Sequence, residues 1–163
     1  MDVRAGTRDD LDAIRAVALQ ACAEAIGELV PSNIVTAEAD RRYPKASLCE
    51  HILAKQLLLG VDDGDRIEVV CLLDERSDYI ELKTALAPLH PSQEVSGADL
   101  IEEIRSLGWI GPIASECVLG YLPHERFHES AGFSPGEVEA IVFAGHEVYR
   151  RWWWIGAEDG VGR

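Results

Sequence analysis

Two histidines four residues apart form the sequence pattern with the most specific chemistry. The run from His124 to His128 reads His-Glu-Arg-Phe-His, and on a helix the two rings would lie on one face, one turn apart. Such a pair can bind Zn²⁺ with Glu125 as the general base of a hydrolase, and His146 or Glu147 could supply a third ligand. Against this interpretation, a proline directly precedes the motif, and no third histidine follows at the usual spacing.

Two glutamates lie in segments that read as strands. Glu81 belongs to a run that starts at Tyr79 and turns apolar, and Glu116 lies in the strand-like run 113–119. Apolar neighbours raise the pKa of a carboxylate toward neutrality, which suits a residue that accepts a proton during catalysis. Glu81 and Glu116 are therefore our candidate general bases. Because side chains alternate between the two faces of a strand, exposure of both glutamates to solvent is the alternative.

The stretch from Tyr79 to Leu107 combines a strand, a short loop and the start of a helix. In its first part, apolar and polar residues alternate and then give way to apolar residues, as in a strand that enters the core. In its last part, apolar residues recur at helical spacing. The loop between them contains Ser96 and Gly97. The first N–H groups of a helix have no partners within it, so such a loop can bind an anion. A single glycine is weak evidence for a phosphate site, and an ordinary strand-to-helix connection is the alternative.

Length and composition indicate one globular domain. The chain has 163 residues, and 47% of them are hydrophobic, which suffices for a packed core. We predict a single domain over 1–157 and a frayed tail over 158–163. We find no apolar run that could span a membrane and no signal-peptide region. The four cysteines lie far apart without CxxC spacing, as in reduced core residues of a cytoplasmic protein: Cys22, Cys49, Cys71 and Cys117.

The charge of the chain is strongly acidic. The formal net charge is −14 at pH 7 and the sequence pI is about 4.6. Nucleic acids and anionic membranes bind basic surfaces, so we expect neither as a partner. The charge favours a cationic small molecule or peptide. The alternative is that the acidity keeps the protein soluble or reflects a salt-adapted source.

Periodicity predicts the order strand, two helices, three strands, helix, strand, helix, two strands. A cap-like pattern at Thr36 opens the second helical region, which Pro44 interrupts. The change of period near residue 57 marks the start of the strands, and Asp62-Asp63-Gly64-Asp65 predicts a hairpin. The strand-helix-strand unit over 79–119 implies one parallel crossover. We therefore predict an α/β (α+β) domain with a mixed, mostly antiparallel seven-stranded sheet and helices on both faces.

This order of elements resembles the GNAT-type N-acyltransferase superfamily, whose members use acetyl-CoA. Three stretches carry the resemblance. Val3–Ile14 is similar to the opening strand and helix of the family, and Ala87–Pro91 is similar to the end of its fourth strand. Arg126–Phe133, with its Gly-Phe end, is similar to the late helix of the family and is the most specific match.

The resemblance implies an acetyl-CoA site between the fourth strand and the helix that follows it. The positions that match on this chain are Ala87, Leu89, Val95, Ser96, Gly97, Ala98 and Asp99. Pro88 would part the fourth strand from its parallel neighbour, leaving a V-shaped gap, and the Leu89 N–H would hold the thioester carbonyl. The loop departs from the family pattern, because Glu94 replaces a Gln or Arg and Asp99 replaces a glycine.

The resemblance also implies direct transfer of the acetyl group to a small primary amine. His128 takes the position where the family often has a tyrosine and is our first candidate for the acid that protonates the departing thiolate, with Tyr121 as the second. The zinc hydrolase is one alternative. The other is a non-catalytic binding protein of the same fold with a degenerate CoA loop. The Trp-rich last strand is a candidate contact surface for a homodimer.

Overall fold

The computed structural model describes residues 1–87, 97–143 and 145–156. In these residues seven strands form one sheet in the order β1-β2-β3-β4-β5-β7-β6. The strands are β1 (Asp2–Ala5), β2 (Leu57–Val61), β3 (Ile67–Glu75), β4 (Ile80–Leu86), β5 (Ile113–Val118), β6 (Ser134–Phe143) and β7 (His146–Ile155). All neighbours are antiparallel except β4 and β5, which are parallel.

Helices connect the strands and cover both faces of the sheet. In the described residues they are α1 (Leu11–Ile26), α2 (Ser32–Arg42), α3 (Lys45–Leu53), α4 (Ala98–Ser106) and α5 (Leu122–Ser130). A single 3₁₀ turn, Arg8–Asp10, precedes α1, and Asp10 Oδ2 accepts the Thr7 N–H at 2.8 Å. Pro44 directly precedes α3 and separates it from α2, because proline cannot continue a helix.

Each face of the sheet carries its own core. On the α4 and α5 face the buried side chains include Leu82, Leu100, Ile104, Phe127 and Trp153. On the α1 and α3 face they include Ile14, Leu48, Leu59, Val70 and Leu72. Alternation along each strand sends neighbouring residues into different cores. As a result, a residue of β4 or β5 can face the helices of either layer.

The parallel pair β4 and β5 separates partway along its length. The two strands pair only from Ile80 and Ile113 to Leu82 and Ser115. Beyond that point β4 continues to Leu86 and β5 continues to Val118 without pairing to each other. The predicted V-shaped gap is therefore present in the described part of the chain. The predicted cause, Pro88, lies outside the described residues.

The structure confirms the predicted fold class and adds two details. The second helical region begins at Ser32 rather than Thr36. It is also divided at Pro44 into α2 and α3, so in the described residues three helices, rather than the predicted two, lie between β1 and β2. None of the helices in the described ranges combines the length and apolarity needed to cross a bilayer. The predicted tail over 158–163 lies outside the described residues.

Candidate active site

A cavity opens beside the gap between β4 and β5, on the side of α1 and α2. It is narrow, with about 50 Å³ open to the centres of water-sized molecules, and it widens toward solvent at its mouth. Its wall is largely apolar, with Ala25, Ile26, Leu86, Ile141 and Phe143. Its polar side chains are Glu38, Arg41, Arg42, Thr84, Glu116, Tyr121, His124 and Arg150.

His124 spans the gap from α5 to β4. Its Nε2 lies 2.8 Å from Thr84 Oγ1, and the residue is buried. No described residue offers Nδ1 a hydrogen-bond partner. Burial, the neighbouring His128 and the positive charge of Arg42 hold the pKa of His124 well below its ordinary value. The ring is therefore neutral near pH 7, with one nitrogen unpaired.

His128 lies one turn further along α5 and is fully buried. Its Nδ1 donates to His124 O at 2.7 Å, so Nε2 accepts from Ser115 Oγ at 2.8 Å. The ring stacks on Trp153 with centroids 5.2 Å apart. Burial lowers its pKa to about 4. Because both nitrogens are engaged inside the core, this placement does not favour the predicted role of His128 as the acid.

Glu116 lines the cavity immediately beyond the last paired residue of β5, Ser115. Its Oε1 lies 3.3 Å from Arg42 NH1, and its Oε2 accepts from Arg150 NH1. Two guanidinium groups hold this carboxylate, so it serves more readily as an ionic anchor than as a free base. The structure therefore brings Glu116 to the predicted location, in an environment that its apolar sequence neighbours did not indicate.

Tyr121 lies at the N-terminal end of α5 and lines the same cavity. Its hydroxyl donates to Glu24 Oε2 at 3.0 Å. Burial, reinforced by the Glu24 carboxylate, raises the pKa of Tyr121 above its ordinary value. The phenol therefore keeps its proton at neutral pH, as a proton donor must.

Glu81 lies away from the cavity, at the paired end of β4. It pairs in register with Ala114, and its carboxylate accepts from Arg76 Nε at 3.0 Å and from Arg76 NH2 at 2.5 Å. Arg76 also lies 3.9 Å from Asp74, which binds Lys83. The structure therefore places Glu81 in an ionic cluster and does not bring it together with Glu116.

The first turn of α4 contains the described part of the predicted CoA loop. A Cβ on Gly97 would lie 2.5 Å from Ala131 Cβ and 2.9 Å from Phe127 O, so only glycine fits there. The Gly97 N–H donates to Ser130 Oγ at 3.0 Å. The first helical hydrogen bond is Ile101 N–H to Gly97 O, so the amides of Asp99 and Leu100 precede it.

Of the remaining predicted loop positions, the structure describes Ala87, Ala98 and Asp99. The Ala87 N–H is bonded to Glu68 O at 2.8 Å, and Ala98 is the first residue of α4. The Asp99 carboxylate lies 3.4 Å from the positively charged Met1 amino group, which precedes β1 and offsets part of the carboxylate charge. Leu89, Val95 and Ser96 lie outside the described residues.

The geometry of the His-Glu-x-x-His motif does not suit a zinc site. His128 has no nitrogen free for a metal. Glu125 Oε1 accepts the N–H of Gly120, in the turn before α5, at 2.9 Å. Within the described ranges, no group of three or more His, Cys, Asp or Glu side chains could hold a metal ion.

Sequence reasoning missed most of the polar residues of the cavity. Arg42 and Glu38 come from α2, and no local pattern indicates that this helix covers the gap. Thr84 could have been found from the alternation of β4, which sends it to the same face as Leu82 and Leu86. His124 was found, but in the role of a zinc ligand.

Comparison with known proteins shows the class of fold. No protein-family model matches the sequence, and no curated protein matches it. Solved acetyltransferases match it along nearly their whole length. PaiA N-acetyltransferase from Thermoplasma acidophilum, in complex with coenzyme A, is 17% identical with a TM-score of 0.69, covering 92% of this chain and 96% of that one.

Two further solved structures show the same likeness. YncA from Salmonella typhimurium, with its cofactor acetyl-CoA, is 18% identical with a TM-score of 0.69, covering 100% of this chain and 97% of that one. Ribosomal-protein-alanine N-acetyltransferase from Brucella melitensis is 17% identical with a TM-score of 0.66, covering 96% and 100%. The chain therefore has the fold of the GNAT-type acetyltransferases.

Proposed function

We propose that this protein transfers the acetyl group of acetyl-CoA to the primary amine of a small molecule. The observation that carries the proposal is the separation of β4 from β5 after Leu82 and Ser115, with a cavity at the point of separation. Strands that part in this way leave backbone groups unpaired, and these can hold the pantetheine arm of a donor. The coenzyme bound to the PaiA and YncA structures supports this choice of donor.

The start of α4 fits a diphosphate. The amides of Asp99 and Leu100 precede its first helical hydrogen bond, and the helix dipole favours an anion there. Gly97 lets the chain pass close to α5. Asp99 opposes an anion by its charge, and the Met1 amino group at 3.4 Å offsets part of that charge.

Two cavity residues fit the proton transfers of the reaction. The amine nitrogen forms a bond to the carbonyl carbon, the carbon–sulfur bond breaks, the amine loses a proton and the thiolate gains one. His124, neutral and with Nδ1 unpaired among described residues, is our candidate for receiving the amine proton. Tyr121, which keeps its proton, is our candidate for protonating the thiolate.

A binding and turnover experiment tests the proposal. Acetyl-CoA at about 100 times its Kd should raise the free energy of unfolding by about 2.7 kcal/mol. A panel of small primary amines should then release free CoA thiol, and a chelator should leave the rate unchanged. Binding without turnover on the whole panel would favour the non-catalytic binding protein. Absence of binding at saturating acetyl-CoA would refute the proposal.

A further inference from the structure

Arg42 has unused hydrogen-bonding capacity at the floor of the cavity. It ends α2, and its side chain is only 18% exposed. Its one described partner is Glu116, whose Oε1 lies 3.3 Å from NH1. A guanidinium has five N–H donors, and none of its nitrogens is both buried and unpaired. Arg42 thus lines the cavity with donors that no described residue uses.

The other charged side chains of the cavity are already paired with each other. Arg41 binds Glu38 through two bonds, at 2.7 and 2.6 Å. Arg150 binds Glu139 through Nε and NH2 and binds Glu116 through NH1. Because Arg150 shares the Glu116 carboxylate, that single negative charge faces two guanidinium groups. Arg150 also has Glu139, so Arg42 is, among the described arginines of the cavity, the one with the fewest hydrogen-bond partners.

Arg42 lies on the side of the cavity that borders the gap between β4 and β5. Glu116, its partner, follows Ser115, which is the last residue of β5 paired to β4. His124, which spans the gap, also senses the positive charge of Arg42. An anionic group on Arg42 therefore lies on the side of the cavity that borders the place where β4 and β5 part.

We propose that the acceptor is an amino acid whose carboxylate binds Arg42 and whose amine reaches the gap between β4 and β5. This inference rests on the proposed function and names the substrate class of the same site. A carboxylate matches the fork of donors on a guanidinium. Arg42 contacts Glu116, which directly follows the last β5 residue paired to β4, so an α-amino acid, whose amine and carboxylate share one carbon, fits both requirements. The apolar wall, with Ile26, Ile141 and Phe143, suits an apolar side chain.

Matched acceptors test the inference in the wild-type protein. Acetyl transfer to leucine, leucinamide and isoamylamine is followed by release of CoA thiol. These compounds share the amine and the apolar chain, and leucine alone carries the carboxylate. We expect kcat/KM for leucine to exceed that for the other two at least tenfold. Calorimetric titration of leucine and leucinamide into the protein without acetyl-CoA measures the same preference independently of turnover.

Variants separate direct contact from general charge. In Arg42→Gln, kcat/KM for leucine should fall roughly 10- to 100-fold, as for loss of a charged hydrogen-bonded pair, while that for leucinamide changes little. In Arg42→Gln with Glu116→Gln, the local charge is balanced and leucine should remain poor. The control Arg15→Gln removes an arginine whose 3.1 Å pair with Asp40 is exposed outside the cavity, and should change neither acceptor.

The outcomes distinguish the inference from the function on which it rests. Equal rates or equal affinities for leucine and leucinamide in the wild type would overturn the inference while leaving acetyl transfer intact. Survival of the preference for leucine in the double variant would also overturn it. If acetyl-CoA did not bind, the proposed function would fail. Calorimetry would then still decide whether Arg42 binds a carboxylate, since that measurement needs no acetyl-CoA.

Discussion

The two buried histidines should make the fold sensitive to mild acid. His128 has a pKa of about 4 in the folded protein, against 6.5 for the unperturbed group. Between these values the unfolded chain binds more protons, so stability is lost as pH falls through 6.5 toward 4. At about 1.4 kcal/mol for each pKa unit, the full loss from His128 is roughly 3 kcal/mol, of which about 2 kcal/mol is lost by pH 5. His124 changes stability in the same direction.

Urea unfolding at pH 7 and pH 5 measures this loss in the wild type and in His128→Gln. The variant should be less stable at pH 7, because it loses the stack on Trp153. Its further loss between pH 7 and pH 5 should be smaller than that of the wild type by roughly 2 kcal/mol. The control His146→Gln changes an exposed residue and should retain the wild-type pH dependence. Equal pH dependence in His128→Gln and the wild type would refute the reasoning.

Three further substitutions test the geometry of the site. Gly97→Ala places a Cβ 2.5 Å from Ala131 Cβ; we expect a loss of about 1–3 kcal/mol in urea unfolding and a higher Kd for acetyl-CoA. Thr84→Val removes the hydroxyl on His124 Nε2; stability should fall by about 1–3 kcal/mol and kcat should fall, with the Kd for acetyl-CoA unchanged. Tyr121→Phe should lower kcat by about 10²- to 10⁴-fold with little change in stability, and a kcat near that of the wild type would exclude the phenol as the acid.

The sequence predicted the elements well because local chemistry determines them. Gly132 follows the last turn of α5 with a φ of +84°, as its position at the end of an apolar helical pattern indicates. The acidic turn over 62–65 joins β2 to β3 as a hairpin. The start of α2 at Ser32 was missed because the cap-like pattern at Thr36 was preferred to Pro31, which directly precedes the helix.

The site was less accessible to sequence reasoning because it depends on where a pairing stops. Glu81 and Glu116 look alike in sequence, yet Glu81 lies within the paired part of β4 and β5 and Glu116 lies just beyond it. Parallel register is set by the whole sheet and leaves no local signature. The place of Arg42 was even harder to predict, because its contact with Glu116 depends on how α2 packs against β5, a strand much later in the chain.

The exposed residues of the last hairpin bear on the predicted homodimer. Trp153 is buried against His128, while Trp152 and Trp154 are partly exposed on the opposite face. The half-exposed Tyr149 and Val138 lie on the same final hairpin. A homodimer through this hairpin and a cytoplasmic location both stay predictions.

The short pairing of β4 with β5 also divides the molecule mechanically. In the described residues β4 pairs with β3 through seven residues, β5 pairs with β7 through six, and β4 pairs with β5 through only three. Under a pulling force applied across the strands, the halves β1–β4 and β5–β7 should come apart along this seam before either half unravels. A donor molecule lying in the opening would fasten the halves together, so the rupture force should rise when acetyl-CoA is bound.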